Sequence, residues 1–125
     1  HAWKVVREAE TAGPGLFLKT HPKRENVWTD ATFAKDGNSN QTICVFKKKD
    51  FDADPTCFSA TEHGKIVHFE YNKAGDEVWA SVWDRKGALI VYDDKTLKEK
   101  ARIEADWMVT PTGKWNVYNT VHDVY

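Results

Sequence analysis

The sequence predicts an all-β fold, and within that class a fragment of a β-propeller. The main observation is a repeat, because residues 16–46 and 66–92 share the same order of short apolar segments, a tryptophan and a closing aromatic. Trp28 recurs as Trp79, so the period falls in the range of roughly 40 to 50 residues that propeller blades show. Because a blade buries its faces only against neighbouring blades, we expect this chain to be part of a larger ring.

The turn residues divide the chain into about two four-stranded antiparallel blades and two flanking strands. Residues 3–10 mix apolar and charged side chains and are predicted to form the outer strand of an incomplete blade. The first blade is predicted at 16–61 and the second at 65–106. A helix over 95–106 is the alternative there, but its apolar residues form a poor stripe at the helical period. Residues 114–124 are predicted to be the closing strand of the ring.

Composition excludes several classes of partner. The net charge is −1 and the pI is about 6.6, so no strong field attracts the chain to nucleic acid or to anionic lipid. No apolar stretch approaches the roughly 20 residues that a membrane-spanning helix needs. The lysines at 47–49 are followed by aspartates, which indicates a solvated loop. We therefore expect neither a nucleic-acid nor a membrane partner.

The two cysteines fall on consecutive predicted strands of one blade. A cross-strand disulfide between Cys44 and Cys57 would form only if their Cα atoms lay within about 7 Å, and we expect two separate buried thiols instead. The histidine and cysteine spacing supports no four-ligand zinc site, and no C-x-x-C-H motif is present to attach a c-type haem. We predict no metal ligands and no catalytic residues in this chain.

Three segments carry a more specific signal. They are LFLKTHP at 16–22, EYNK followed by GDEVW at 70–79, and TPTGK at 110–114 continuing to the HDVY ending. Together they resemble the C-terminal part of the haem d1 domain of cytochrome cd1 nitrite reductases, and the resemblance covers essentially the whole chain. It implies an eight-bladed propeller that carries haem d1, of which this chain would hold the last two blades and the closing strand.

The same resemblance implies a periplasmic enzyme that reduces nitrite to nitric oxide in denitrification. Its electrons would come from a c-type cytochrome or haem domain. By resemblance, the family's axial histidine and its two substrate-side histidines lie upstream of His1. We therefore expect this chain to contribute pocket walls and ring closure, and to be inactive alone because it lacks the iron's axial ligand and the proton donors.

Five positions match the haem pocket of the family. Phe17 aligns with an aromatic residue that packs near the macrocycle, and Thr112, Gly113 and Trp115 align with the closing segment at the haem edge, although the family more often has Phe in place of Trp115. His68 replaces a pocket glutamine. It could donate a hydrogen bond to a haem carboxylate or substitute for a ligand, or it could be a strand histidine facing the channel.

Other prominent side chains receive structural interpretations. Trp28, Trp79 and Trp83 are expected to pack between blades, since each can bury a large apolar area. Lys19 and His21 could face the pocket, but we expect them at a blade rim.

Two further functions remain open. The His-Phe-Glu sequence at 68–70 also resembles haem d1 maturation dehydrogenases, although the Asn-Val-Tyr-Asn-Thr segment at 116–120 argues against that function. A non-enzymatic propeller binding module is the other alternative. The expected partner is either the remainder of the propeller or a second copy of the chain, which would associate through the unpaired flanking strands.

Overall fold

The computed structural model describes residues 2–112 and 114–115, and within them it contains two four-stranded antiparallel sheets. The first sheet has the order β1-β2-β3-β4 and the second β5-β6-β7-β8, so each strand pairs with its neighbour in sequence. This confirms the all-β class and the two predicted blades. The strands are β1 (Leu18–Thr20), β2 (Asn26–Thr29), β3 (Thr42–Lys47), β4 (Thr56–Ser59), β5 (Lys65–Tyr71), β6 (Glu77–Trp83), β7 (Gly87–Asp93) and β8 (Glu99–Ala105), with a 3₁₀ turn at Ser39–Gln41 before β3.

Two elements differ from the sequence prediction. The alternative helix over 95–106 is wrong, because β8 pairs with β7 along its length. The predicted outer strand at 3–10 is also not formed, and these residues are exposed. A strand needs a partner for its backbone groups, and residues 3–10 pair with neither of the two sheets. The predicted closing strand at 114–124 falls mostly outside the described residues.

The main core lies between the two sheets. Trp28, Ile43 and Val45 project from the first sheet into a cluster with Phe69, Val78, Ile90 and other residues of the second. Strand alternation sends the intervening residues Val27, Cys44 and Phe46 to the opposite face, where they form a separate small cluster. Trp28 is fully buried and contacts the rings of Phe58, Phe69 and Tyr92, as expected of an inter-blade residue. Trp83, by contrast, is 42% exposed.

A buried carboxylate also joins the sheets. Asp94 follows β7, and its Oδ1 atom accepts hydrogen bonds from Trp28 Nε1 at 2.9 Å and from the Tyr71 hydroxyl at 2.7 Å. Its Oδ2 atom accepts from Arg24 Nε at 3.0 Å. Asn26 adds a 2.6 Å bond to the Asp94 backbone carbonyl. Donors from both blades therefore converge on one side chain, which fixes the sheets relative to each other.

The chain after β8 returns over the second sheet. Ser81 Oγ donates to the carbonyl of Pro111 at 2.9 Å, and Lys114 Nζ donates to the carbonyl of Val82 at 2.6 Å. Gly87 permits this approach, because a Cβ at that position would overlap the carbonyl oxygen of Met108. The described part of the chain has no helix that is long and apolar enough to cross a membrane.

The cysteines are joined, which corrects the expectation of two free thiols. Cys44 on β3 pairs directly with Cys57 on β4, and the two form a disulfide with a Cα–Cα distance of 4.1 Å. Opposed residues of adjacent antiparallel strands lie close enough for this bond when their register aligns them. The sequence placed both cysteines on neighbouring strands but could not supply the register.

Candidate functional site

Four of the five predicted pocket residues line one cavity. It has a volume of about 460 Å³ and lies where β1, β5 and the segment around Thr112 meet. This volume is within the range of small-molecule pockets in proteins. The fifth predicted residue, Gly113, lies outside the described residues. The lining residues are Phe17, His68, Thr112 and Trp115 from the prediction, together with Leu18, Lys19, Phe69 and Glu70.

His68 occupies a bulge in the innermost strand of the second blade. Its neighbours Val67 and Phe69 pair with Ser81 and Ala80, so His68 is the extra residue without a partner in the ladder. Its φ of 74° lies in the left-handed region, which non-glycine residues seldom adopt. Bulges are frequent next to functional sites because they redirect a side chain. This bulge makes His68 a lining residue of the cavity.

The imidazole of His68 is held between two aromatic rings. Its centroid lies 4.8 Å from that of Phe17 and 4.9 Å from that of Trp115, with both pairs tilted. Nε2 lies 3.0 Å from Glu70 Oε1, and because a carboxylate can only accept, Nε2 carries the proton. Nδ1 is buried and has no hydrogen-bond partner among the residues that the structure describes. In a neutral ring that atom has a free lone pair, so it can accept a hydrogen bond or coordinate a metal in a ligand of this cavity.

Charged groups at the cavity balance each other. Lys19 Nζ lies 3.5 Å from Glu70 Oε2, and both side chains are largely buried, with exposures of 23% and 12%. Glu70 therefore links an ammonium group to the His68 ring. Lys19 was expected at a blade rim, and the structure instead places it on the cavity wall.

His21, the other residue with an open role, is a structural residue. Its side chain is buried against Tyr71, with ring centroids 5.4 Å apart. Nε2 contacts the carbonyl of Lys73 at 3.1 Å, and Nδ1 accepts from the backbone N–H of Lys23. Nε2 thus joins the turns of the two blades, and Nδ1 stabilises the turn that contains His21.

Sequence reasoning missed Asp30, a buried aspartate next to the cavity. Its Oδ1 atom accepts from the backbone N–H groups of Leu16 at 2.7 Å and Phe17 at 3.2 Å. Its Oδ2 atom accepts from the backbone N–H of His68 at 3.2 Å. Gly15 has to be glycine here, because a Cβ would overlap the Asp30 carbonyl oxygen. The position that matches Asp30 in the second repeat is Ser81, and this difference between the repeats is the one signal for Asp30 in the sequence.

Lys114, in the segment that follows β8, is an unusual ionisable group on the second blade. Burial lowers the pKa of Lys114 to about 8, because the ammonium form loses hydration there. Its Nζ atom is bound to the carbonyl of Val82, and Trp115 next to it lines the cavity. The lysine thus ties the cavity-lining segment to β6.

The chemistry of the cavity suits a flat, conjugated ligand with a polar edge. Phe17 and Trp115 offer aromatic surfaces, and His68 Nδ1 offers a buried atom that can bind a metal or form a hydrogen bond. Among the described residues, no group of three or more His, Cys, Asp or Glu side chains is arranged to hold a metal ion.

A family model, two sequence relatives and a solved structure all point to the same family. The family model described as "Cytochrome D1 heme domain" matches residues 1–120. A nitrite reductase of Stutzerimonas stutzeri is 43% identical over the whole chain, and a dihydro-heme d1 dehydrogenase of Pseudomonas aeruginosa is 36% identical over 95% of it. The chain spans only 25% and 23% of these two relatives.

A solved structure shares the fold as well. The dihydro-heme d1 dehydrogenase NirN in complex with DHE superposes with a TM-score of 0.73 at 31% identity, covering 82% of this chain and 21% of the other. Sequence and fold comparisons therefore agree with the predicted propeller fold, and the chain belongs to the cytochrome D1 haem domain family.

Proposed function

We propose that this chain forms two blades of a haem d1-binding propeller in a nitrite reductase, and that its cavity forms one wall of the haem site. The observation that carries the proposal is the convergence of Phe17, His68, Thr112 and Trp115 on one cavity with an unpartnered His68 Nδ1. The residues fit the group, since a tetrapyrrole offers an aromatic face, a polar edge and a metal. When bound, haem d1 would supply the redox-active iron.

The residues of this chain would bind and orient the macrocycle. Phe17 and Trp115 would pack against it, and Trp115 with Thr112 would exclude water there. His68, held by Glu70, presents Nδ1 to the ligand. Lys19, 3.5 Å from Glu70, compensates the charge of that carboxylate at the site. None of these groups replaces the proton donors that the family resemblance places elsewhere, so we propose that the chain alone does not turn over nitrite.

The whole protein would reduce nitrite to nitric oxide with one electron and two protons, releasing water. We propose a c-type cytochrome as the electron donor and the periplasm as the location, within denitrification and its electron transport. The support is the nitrite reductase relative, which is more similar than the dehydrogenase and matches the whole chain.

A dihydro-haem d1 dehydrogenase is the second candidate. Two observations favour it, namely the NirN structure as a fold neighbour and a histidine at position 68 in the cavity. The two functions differ in substrate, since one protein acts on nitrite and the other oxidises the tetrapyrrole itself.

Titration with tetrapyrroles tests the proposal. The purified chain is mixed with haem d1 and, separately, with dihydro-haem d1, and absorption spectra are recorded. A spectral shift that saturates and is lost in Phe17→Ala supports a haem d1 site, whereas no shift with either ligand favours a binding module of another kind. Joining the chain to the remaining blades and assaying nitric oxide formation against dihydro-haem d1 oxidation then separates the two enzymes.

The outward face of the first sheet is the proposed contact with the preceding blade. An apolar groove of about 1010 Å³ lies there, lined by Val6, Leu18, Val27, Phe46 and Phe51 among others. The chain spans a quarter of its nitrite reductase relative, so three quarters of such a protein remain to supply that blade. Light scattering tests this: a monomer at micromolar concentration supports the blade as occupant, whereas a dimer identifies a second copy.

A further inference from the structure

Asp30 connects the two cavity residues that come from different blades. It follows β2, is 2% exposed, and accepts three backbone hydrogen bonds. Two come from Leu16 and Phe17 in the first blade and one from His68 in the second. A single carboxylate therefore fixes the backbone on both sides of the cavity.

The bond to His68 satisfies a specific structural need. A bulged residue has no partner in the strand ladder, and a buried backbone N–H without an acceptor is costly. Asp30 Oδ2 supplies that acceptor at 3.2 Å. It does so at a residue whose φ of 74° is unfavourable for any side chain with a Cβ. The bulge therefore depends on the carboxylate.

We propose that Asp30 is a positioning residue of the tetrapyrrole site, which holds the His68 bulge and the Phe17 backbone in register so that the imidazole lies against Phe17 and Trp115. The inference rests on the proposed function for the identity of the ligand only. The positioning itself is a property of the chain without ligand, because the Phe17 and His68 rings are already 4.8 Å apart in it.

Asp30→Asn is the informative substitution. Asparagine has nearly the same shape but replaces one acceptor oxygen with an NH₂ donor. If its oxygen stays with Leu16 and Phe17, the new NH₂ faces the His68 N–H, and two donors oppose each other. The matched control is Thr32→Val. Thr32 is also fully buried and makes one inter-sheet bond, from Oγ1 to the Ile66 carbonyl at 2.8 Å, without contacting the cavity.

The first measurement needs no tetrapyrrole. In the wild-type chain, NMR should detect a scalar coupling across the hydrogen bond from the His68 amide nitrogen to the Asp30 carboxyl carbon. The His68 ring protons should also show ring-current shifts from Phe17 and Trp115. Asp30→Asn should move these ring protons toward exposed-histidine values, and Thr32→Val should leave them in place. Absence of the coupling in wild type overturns the inference even if Asp30→Asn fails to fold.

The second measurement uses haem d1 and dihydro-haem d1 as probes. Asp30→Asn should weaken binding about tenfold or more, as substitutions behind a ligand-holding residue commonly do. In the His68→Ala background the same substitution should have less than about a third of that effect on a logarithmic scale, because the imidazole that Asp30 positions through the bulge is gone. Equal effects in both backgrounds would make Asp30 merely structural and overturn the inference. If wild type binds neither probe, the proposed function fails, and the NMR measurement still decides the role of Asp30.

Discussion

Replacing Asp94 provides a direct test of how the two blades are held together. Its side chain is 2% exposed and accepts from Trp28 and Tyr71 through one oxygen and from Arg24 through the other. Asp94→Ala removes both side-chain acceptors at once and leaves the backbone carbonyl that accepts from Asn26. Asp94→Asn keeps one oxygen of the same shape and removes the charge. Comparing the two separates the buried hydrogen bonds from the ion pair.

The structure sets the expected magnitudes. In Asp94→Ala, Trp28 Nε1 and the Tyr71 hydroxyl are left buried without an acceptor, at about 1–3 kcal/mol each. We therefore expect the free energy of unfolding to fall by about 3–5 kcal/mol. In Asp94→Asn the oxygen that serves Trp28 and Tyr71 can remain. Only the bond to Arg24 is lost, and since the Arg24 side chain is 30% exposed, water replaces part of it. The expected loss is about 1–2 kcal/mol.

Urea denaturation followed by tryptophan fluorescence measures both variants. The control is Asp93→Asn, which changes the neighbouring, half-buried carboxylate at the end of β7, where asparagine can still accept from the backbone N–H groups of Lys95 and Thr96. That control should change stability much less than Asp94→Asn does. If Asp94→Ala lowers stability by less than about 1 kcal/mol, the converging bonds contribute nothing net, and the account of the blade interface is wrong.

Three further predictions use the same denaturation assay. The pKa of Lys114 is about 8 in the folded chain against 10.5 ordinarily, so the unfolded chain binds more protons between these pH values. The free energy of unfolding should therefore rise from pH 8 towards 10, and Lys114→Met should remove that rise. Reduction of Cys44–Cys57, whose positions are 13 apart, should lower stability by roughly 3 kcal/mol on loop entropy, while the double alanine variant should not respond to dithiothreitol. At the positive φ of His68, His68→Gly should be about 1 kcal/mol more stable than His68→Ala; equal stabilities would contradict the bulge.

The sequence was sufficient for the blades because their signals are local. The period that relates Trp28 to Trp79 and the turn residues between strands gave both four-stranded sheets, and β5 to β8 lie within the predicted second blade at 65–106. It was insufficient at 3–10, where strand propensity without a partner strand produces no ladder. Strand propensity is a property of single residues, whereas a strand forms only when its backbone pairs with a second strand.

The cavity was predictable only through resemblance. No pattern in the sequence relates Phe17 to Thr112, and their meeting depends on how the first blade packs on the second. Glu70, which binds the His68 imidazole, was missed because an acidic residue on a strand usually faces solvent. The Cys44–Cys57 bond was missed for a related reason: alternation gives the face of each cysteine, but only the register opposes them.

The two buried carboxylates, Asp94 and Asp30, connect the blades at opposite ends of β2. Asp94 binds side chains at the start of that strand, Asn26 and Trp28, whereas Asp30 follows its end and binds backbone at the cavity. The cavity lies between β1 and β5 on the side of Asp30, which bonds the backbone of its lining residues Phe17 and His68, whereas none of the described side chains that bind Asp94 lines it. Substitutions at Asp94 should therefore lower stability with little effect on the geometry of His68 while the chain remains folded, and those at Asp30 should alter that geometry directly. A ligand that binds only the folded chain would raise the stability of the Asp94 variants and of the Asp30 variants by mass action. Ligand affinity therefore distinguishes the two sets of variants better than stability does.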